Sequence, residues 1–277
     1  MEKGDKIKVL IPTDFSIEAE YAFKMVENLS STANMEITFL HILNVPDTVT
    51  LGIDNTISTC GEIDVHFVEV QRNMAVEKLE ELKKKHPAVK TDLIFGHTTT
   101  GIIKYAEENK YDLIALGTKG TSGFAERFIG SNAQLIARKS DIPVLTLMCD
   151  RSELELKDIL FVHDFEENDN QNLKLMKQFI KIFDTKLHLL QILTHKEDEN
   201  TVKENMAVFA QKNGLNKYEM HIIHDSNIEE GINHFTAENN MDLICMGTHG
   251  KGGIFHKSAT ETLINHLYKP IISYKIK

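Results

Sequence analysis

Residues 113–133, LIALGTKGTSGFAERFIGSNA, contain the pattern that decides the fold of this chain. The apolar run 113–116 is typical of a short buried strand, and Gly117 and Gly120 predict the turn that follows it. Apolar residues at helical spacing then predict a helix over 132–139. A helix N-terminus presents unpaired N–H groups and a partial positive charge, and glycines allow an anion to approach the backbone. This strand, loop and helix therefore indicate an anion-binding site.

The glycine spacing separates this loop from two well-known nucleotide motifs. Gly117 and Gly120 are followed, after nine residues, by Gly130 and Ser131, which matches neither GxxxxGK[ST] nor GxGxxG. The spacing resembles the ATP-binding signature of the universal stress protein family, Gly-x2-Gly-x9-Gly-Ser/Thr, with every fixed position filled. The alternative is that these are ordinary turn and helix-cap glycines.

The composition is that of a globular protein. The chain has 277 residues, 42% of them hydrophobic and 26% charged, which is enough for one large domain or, as we expect, two. Its net charge of −10 is spread over both halves. No basic patch is present to bind nucleic acid, so we expect no nucleic-acid partner.

The cysteines and the hydropathy pattern predict a cytoplasmic protein. Cys60, Cys149 and Cys245 lie far apart without a C-x-x-C pair, and an odd number of lone thiols suits a reducing compartment. The N-terminal sequence MEKGDKIKVLIPTDF has no apolar signal region. No window reaches the roughly 18 apolar residues of a membrane span, so we expect no membrane association.

Strand and helix patterns alternate along the first half. We predict strands at 6–11, 35–43, 91–95, 113–116 and 142–148, and helices at 17–29, 65–85, 100–109 and 132–139. The segment 44–64 is polar, has little periodicity and is predicted to be a loop. Alternation at this spacing indicates a parallel sheet covered by helices.

The second half repeats the first. HDF at 163–165 corresponds to TDF at 13–15, LHLLQIL at 187–193 to ITFLHIL at 37–43, and MDLICMGTHG at 241–250 to YDLIALGTKG at 111–120. Such duplication predicts two α/β domains, which we place at residues 1–150 and 151–277, with the boundary near 150–156. The first half is longer, mostly because of the segment 44–64.

The family resemblance, which covers both halves, implies a definite topology. Each half is expected to be a Rossmann-like (adenine nucleotide alpha hydrolase-like) domain, an open five-stranded parallel sheet of order 3-2-1-4-5 flanked by helices. In such a sheet, ligands bind beyond the carboxyl ends of the strands, where the strand order reverses. The ends of strands one and four, at Asp14 and Gly117, then face one crevice.

The resemblance also implies which residues contact the nucleotide. The aspartate after strand one contacts the adenine side of ATP, apolar residues line the base, and the glycine loop holds the ribose and phosphates. The corresponding positions here are Pro12, Thr13, Asp14, Ile42, Leu116, Gly117, Gly120, Gly130, Ser131 and Asn132. Asn132 departs from the small or apolar residue of many relatives, although its backbone N–H can serve equally. For Asp14 the alternative is a helix N-cap or turn aspartate.

The motif is degraded in the second half. Gly247 and Gly250 are present, but the positions for Gly-Ser hold either Thr260-Glu261 or Ser258-Ala259, depending on the alignment. The second domain is therefore expected to be a structural or pairing partner that holds no nucleotide in this way.

The sequence contains candidate metal-binding and catalytic residues but no complete motif for either. His221 and His224 have a tolerable ligand spacing, but residues three apart in a strand point to opposite faces, so no metal site is predicted. TDFSIE follows strand one where a pyrophosphatase-type SGGxDS loop would stand, and no HIGH-like pair or nucleophile elbow is found. No general base can be identified, which leaves at most slow ATP hydrolysis.

Two functions follow as hypotheses. The first is an ATP-binding module in stress response or signalling, with ATP, and optionally Mg²⁺, in domain one. The second is a structural module that needs no nucleotide and acts through an unidentified protein partner. We expect the two domains to pair within the chain through the strands at 142–148 and 271–276, because an exposed apolar edge strand invites pairing. A homodimer is left open. The segment 44–64 is expected to be a mobile flap near the first site, with a plain disordered insertion as the alternative.

Overall fold

The computed structural model describes residues 6–46, 48–52, 56–60, 64–118, 131–165, 173–249 and 268–276. Within these residues, ten strands form one continuous sheet and two more form a separate hairpin. Helices lie on both faces of the large sheet. The predicted class, an α/β fold built from two similar halves, is confirmed.

The first half contains seven strands and four helices in its described part. They are β1 (Ile7–Pro12), α1 (Ile17–Ser30), β2 (Met35–Leu43), β3 (Val49–Leu51), β4 (Ile57–Thr59), α2 (Val65–Lys85), β5 (Lys90–Phe95), α3 (Thr98–Glu108), β6 (Leu113–Gly117), α4 (Ser131–Lys139) and β7 (Val144–Leu147). The predicted bounds of β2 and α2 are confirmed to the residue, and the others of this half differ by one or two residues, as helix and strand ends commonly do.

The described elements of the second half are β8 (Asp158–Val162), α5 (Lys174–Phe183), β9 (Lys186–Leu193), α6 (Glu199–Lys212), β10 (Tyr218–His224), α7 (Ile228–Glu238), β11 (Leu243–His249) and β12 (Ile271–Ile276). From β8 to β11 they repeat the order of the first half without the hairpin, and the last strand follows residues 250–267, which lie outside the described part. Both halves therefore alternate strands and helices as the sequence repeat predicted.

Local chemistry explains why α2 begins and ends where it does. The carboxylate of Asp64 accepts hydrogen bonds from the backbone N–H groups of His66 and Phe67, at 3.0 and 3.2 Å, and so caps the first turn. The last turn holds Lys83, Lys84 and Lys85, whose positive charges are favourable at a helix C-terminus. Pro87 follows shortly and cannot continue a helix.

The sheet order confirms the predicted topology. The strands lie in the order β10-β9-β8-β11-β12-β7-β6-β1-β2-β5. When the five strands that each half gives to this sheet are numbered along the chain, their order is 3-2-1-4-5, and every pairing between strands of the same half in this sheet is parallel. The order reverses beside β1 in the first half and beside β8 in the second, so each half has one crevice at the carboxyl ends of its strands.

The two halves join through their last strands, as predicted. β7 and β12 are antiparallel, with Leu145 opposite Ile272. Both side chains are buried. The hydroxyl of Ser273 donates to the carbonyl of Val144 at 3.3 Å across this seam. The seam turns two five-stranded sheets into one sheet of ten strands, with an intrachain pseudo-dimer as the result.

The large sheet is buried on both faces, which accounts for the apolar runs in its strands. One core cluster includes Phe23 of α1 and Phe209 of α6, and the other includes Ile102 of α3, Ile136 of α4 and Phe235 of α7. Each cluster contains residues from both halves. The hydrophobic core is therefore continuous across the seam on each side of the sheet.

The prediction that 44–64 is an unstructured loop was wrong for part of that segment. β3 and β4 pair as an antiparallel hairpin, with Val49 opposite Thr59. Val45 and Val49 pack with Val68 of α2 in a small separate cluster. Because only two short strands pair here, the periodic signal was too weak to read from the sequence. That this segment acts as a flap stays a prediction.

The seam makes a testable contribution to stability. Leu145→Ala removes a fully buried side chain between the two halves and should lower the free energy of unfolding by about 2–5 kcal/mol. Val208→Ala, on an exposed part of α6, is the control and should change it by at most about 0.5 kcal/mol. Chemical denaturation measures both. Equal effects of the two substitutions would contradict a structural role for the seam.

Candidate functional site

A cleft opens at the carboxyl ends of β1, β2 and β6, where the strand order of the first half reverses. Its volume is about 330 Å³, within the range of small-molecule sites. Its described lining consists of Pro12, Thr13, Asp14, Ser16, Glu18, Ala19, Leu40, His41, Ile42, Thr98, Ile102, Leu116, Gly117, Thr118, Asn132, Ala133 and Ile136. The cleft thus combines an apolar floor with polar groups at its rim.

The turn after β1 is held by its own side chains. Oγ1 of Thr13 accepts a hydrogen bond from the backbone N–H of Phe15 at 3.0 Å. Oδ1 of Asp14 accepts a hydrogen bond from the backbone N–H of Ser16, also at 3.0 Å. Ser16 in turn caps α1 by accepting from Ala19 at 3.3 Å. Asp14 is exposed at the cleft, so its carboxylate both orders the turn and faces solvent where a ligand would enter.

Phe15 adopts a backbone conformation that is unusual for an aromatic residue. Its φ is +65°, in the left-handed region. The ring packs against His41, with centroids 4.7 Å apart, and Lys78 Nζ lies 5.0 Å from its centroid. Such outliers persist where the surrounding structure holds them, and they cluster at functional sites. The packing of Phe15 thus fixes the direction in which Asp14 leaves β1.

Gly117 is required by the packing of α1. A Cβ at this position would lie 1.8 Å from the backbone oxygen of Glu18 and 2.9 Å from the backbone nitrogen of Ala19. No side chain can occupy that space, because both contacts are to backbone. The first glycine of the motif therefore lets the end of β6 and the first turn of α1 meet beside the cleft.

Two helix N-termini meet at the polar rim. Thr99 donates from Oγ1 to Oδ1 of Asn132 at 3.1 Å, which links the first turn of α3 to that of α4. His97, the N-cap of α3, makes no side-chain cap hydrogen bond to that helix. First-turn N–H groups have no acceptor within their own helix, so this rim presents hydrogen-bond donors and the positive ends of two helix dipoles.

The apolar floor of the cleft lies between the sheet and helix α3. Leu40 and Leu116 are buried and Ile42 is half-buried at the strand ends. Gly101 lies above them in α3, where a Cβ would come 3.0 Å from Cδ1 of Ile42. The missing side chain at this position lets α3 pack closely on Ile42.

Most of the site residues implied by the sequence lie together. Seven of them border the cleft: Pro12, Thr13, Asp14, Ile42, Leu116, Gly117 and Asn132. Ser131 begins α4. Gly120 and Gly130 lie outside the described residues.

Sequence reasoning missed several lining residues, among them the charged Glu18 and, at the end of β2, His41. Its Nδ1 lies 2.7 Å from the carbonyl oxygen of Thr13, and a carbonyl can only accept, so Nδ1 donates. The position of His41 next to the implied site residue Ile42, at the end of β2, could have indicated that His41 lines the cleft. Thr98 was missed because the end of β5, the third strand of the first half in the large sheet, was not considered part of the rim.

The described lining is acidic. Asp14 and Glu18 are its charged residues, and no lysine or arginine is found among the described lining residues. Lys119 and Arg127 belong to the glycine motif but lie outside the described residues. In the described part of the rim, backbone N–H groups, hydroxyl groups and the side-chain amide of Asn132 are therefore donors available to an anion.

The equivalent turn of the second half has the same backbone but different side chains. Phe165 has φ +54°, and its N–H donates to Nδ1 of His163 at 2.7 Å, as that of Phe15 does to Thr13. His163, Phe165 and Phe209 pack together, with ring centroids 5.2–5.4 Å apart. Asp164 is buried, so the aspartate that faces solvent in the first half does not do so in the second.

Among the described helices, none is both long enough and apolar enough to cross a membrane.

Comparison with known proteins gives consistent results over both halves. The model of the universal stress protein family matches residues 7–147 and again residues 155–275. Universal stress protein Slr1230 of Synechocystis is 22% identical over 96% of this chain and 99% of its own length. Universal stress protein MJ0577 of Methanocaldococcus jannaschii is 28% identical over 50% of this chain and 93% of its own length. A solved universal stress protein from Archaeoglobus fulgidus has a TM-score of 0.75 at 23% identity, covering 97% of this chain and 98% of that one.

The contact at Gly117 leads to a stability prediction. Gly117→Ala should destabilise the protein by about 1–3 kcal/mol or more, because α1 must move away from β6. Gly101→Ala is the matched control, since its Cβ meets only side-chain atoms of Ile42 and Ile94, the nearest at 3.0 Å, and alanine favours a helix over glycine by up to about 1 kcal/mol. Thermal unfolding distinguishes the two variants. A Gly117→Ala protein as stable as the wild type would contradict the close approach of α1.

Proposed function

The chain belongs to the universal stress protein family, and on that premise we propose that it is an ATP-binding protein of stress response or signalling. One adenine nucleotide binds in the cleft of the first domain. The observation that supports this most is the position of the cleft, which lies at the reversal of strand order and brings together seven of the ten implied residues.

The adenine base occupies the apolar side of the cleft. The half-buried side chain of Ile42 and the buried side chains of Leu40 and Leu116 line an apolar slot that suits a flat aromatic group. Asp14 lies beside this slot as an acceptor for the exocyclic amino group or a ribose hydroxyl. A guanine base presents a carbonyl oxygen where adenine presents an amino group, so a carboxylate here favours adenine.

The phosphates lie along the N-terminus of α4. Backbone N–H groups at Gly130, Ser131 and Asn132 are the proposed donors, and the first turn of α3, tied to α4 through Thr99 and Asn132, adds a second helix dipole. A Mg²⁺ ion can accompany the phosphates, since the described rim offers no cationic side chain to neutralise them.

Binding, and not turnover, is the proposed activity. The acids of the described rim are Asp14, whose Oδ1 accepts from the turn backbone, and Glu18. Neither position identifies a general base for hydrolysis, so at most slow hydrolysis is expected. The cytoplasm is the proposed location, because lone thiols suit a reducing compartment.

The second domain is proposed to bind no nucleotide in this manner. Its turn after β8 buries Asp164 next to His163, and its glycine motif lacks the final Gly-Ser pair. We assign residues 1–150 to the nucleotide-binding domain and residues 151–277 to a domain that pairs with it. One nucleotide per chain follows.

One observation favours the second hypothesis, a module that acts through protein contacts without nucleotide. Phe67, Val70 and Met74 of α2 are exposed, between 40% and 61%, and helical spacing puts them on one face. Nucleotide content separates the two hypotheses. Adenine nucleotide released from denatured, freshly purified protein supports binding, whereas an apo protein whose melting temperature ATP leaves unchanged supports the second hypothesis.

Isothermal titration with ATP tests the phosphate site. The wild type should bind one ATP per chain, and Gly130→Asp should abolish binding, because it adds bulk and negative charge beside the phosphates. Ser131→Ala is the milder comparison and should cost about 0.5–3 kcal/mol, the range for one hydrogen bond to a neutral or charged group. A stoichiometry of two, or unimpaired binding by Gly130→Asp, would show that the site is misplaced.

Substitution of Asp14 tests the base site. Asp14→Ala should weaken ATP binding roughly 10- to 100-fold, as expected for loss of a hydrogen bond to a charged group, and should reduce the preference for ATP over GTP. Asp14→Asn keeps an acceptor for the N–H of Ser16 and so controls for the turn. If both variants retain wild-type affinity and the same ATP-to-GTP ratio, Asp14 is a turn residue and does not contact the base.

A further inference from the structure

A cluster of histidines and acids lies on the second domain, away from the nucleotide cleft. Asp158 is the first residue of β8, His188 is near the start of β9, and Glu219 and His221 are near the start of β10. These three strands are neighbours in the sheet. β9 and β1 are six strand spacings apart, which at about 4.8 Å each puts the cluster about 29 Å from β1 at the nucleotide cleft.

The strand register explains why these side chains meet. Glu219 lies opposite His188, and His221, two residues further along β10, lies diagonally across from it. Residues two apart in a strand share a face. His224 lies on the other face and makes an ion pair with Glu199 at 3.2 Å. The partner of His221 is therefore on the neighbouring strand, which the spacing of histidines along the sequence could not reveal.

Three potential metal ligands converge within this cluster. His188 Nδ1 lies 3.0 Å from His221 Nε2 and 3.6 Å from Glu219 Oε2. The distance from His221 Nε2 to Glu219 Oε2 is 3.9 Å. Zinc binds such ligands at about 2.0–2.2 Å in tetrahedral geometry, which separates neighbouring ligand atoms by about 3.3–3.5 Å. The observed distances bracket this range.

Asp158 fixes the tautomer of His188. Its Oδ1 lies 2.9 Å from His188 Nε2, and because an ionised carboxylate can only accept, Nε2 holds the proton. The lone pair of Nδ1 then faces His221 and Glu219. Metal-binding histidines commonly donate their second nitrogen to a carboxylate in this way, which orients the ring and raises its basicity.

The burial and charge of these side chains suit the binding of a cation that enters from solvent. His188 is 5% exposed, while His221 and Glu219 are progressively more accessible, with side chains 25% and 50% exposed. The ring of Phe235 packs against His221 with centroids 4.9 Å apart and restricts its motion. Lys186 pairs with Oε1 of Glu219 at 2.7 Å, which leaves Oε2 as the oxygen directed at the two histidines.

We propose that His188 Nδ1, His221 Nε2 and Glu219 Oε2 form a binding site for one divalent transition-metal ion, with zinc the best match and water at a fourth position. Two imidazole nitrogens and one carboxylate oxygen are ligands that zinc accepts, whereas Mg²⁺ and Ca²⁺ prefer oxygen alone. Without an ion, the Nε2–H group of His221 donates a hydrogen bond to His188 Nδ1. Metal binding replaces that hydrogen bond, and the His221 proton moves to Nδ1 of the same ring.

Zinc titration of the full-length chain, dialysed against chelator and free of nucleotide, tests the proposal. One Zn²⁺ should bind per chain, and His221→Ala should weaken binding at least 100-fold. Asp158→Asn, which changes a positioning residue, should weaken it 10- to 100-fold. His224→Ala is the matched control on the same strand and should leave the affinity unchanged. Co²⁺ in place of Zn²⁺ should give the visible absorption of a tetrahedral site, and His221→Ala should abolish it.

Several outcomes would overturn the site. The first is a wild type that binds no Zn²⁺ at all. The second is that His224→Ala and His221→Ala weaken Zn²⁺ binding equally. The third is Co²⁺ absorption that survives the His221→Ala substitution. Circular dichroism and thermal unfolding without metal establish that each variant is folded. If His221→Ala is not folded, Glu219→Gln, on an exposed side chain, replaces it with the same expected loss. Because neither titration contains ATP, the result is independent of the nucleotide experiments.

Discussion

The antiparallel pairing of β7 with β12 is the interaction on which the rest of the molecule depends. Each five-stranded sheet ends at an apolar strand whose backbone groups need partners, and each supplies the other with them. The pairing also aligns the two faces of the sheet, so that the helices of both halves cover shared cores. The outer strands of the joined sheet are then β5 and β10, which contain charged residues such as Lys90 and Glu219. Charged outer strands resist further strand addition.

Much of the fold could be predicted because local patterns and the global arrangement agree. β2 is an apolar run bounded by polar segments, and α2 has a capping aspartate, an amphipathic interior and a lysine-rich end, so their bounds follow from the sequence. The strand order came from the family resemblance. The β3–β4 hairpin did not follow, because two three-residue strands give too little periodicity to recognise.

The candidate sites show the same division between local and non-local information. Asp14 and Gly117 were found because glycine spacing and strand ends can be read along the chain. The steric reason for Gly117, its contact with the backbone of Glu18, could not be read, since it depends on how closely α1 approaches β6. The pairing of His188 with His221 depends on the register of two strands. A sequence search that considers one strand at a time sees only His221 and His224, which share no face.

The short connection from β7 to β8, residues 148–157, has a consequence for how the two halves evolve. Pairing between separate single-domain chains is bimolecular and depends on concentration, whereas a tether makes it intramolecular, with an effective concentration of about millimolar for a short link. The pairing therefore does not depend on the expression level, and each half pairs with the other half in preference to a second copy of itself. Symmetry is no longer enforced, so one half can keep an exposed Asp14 while the other buries Asp164. Covalent fusion is what allows the two halves to become different.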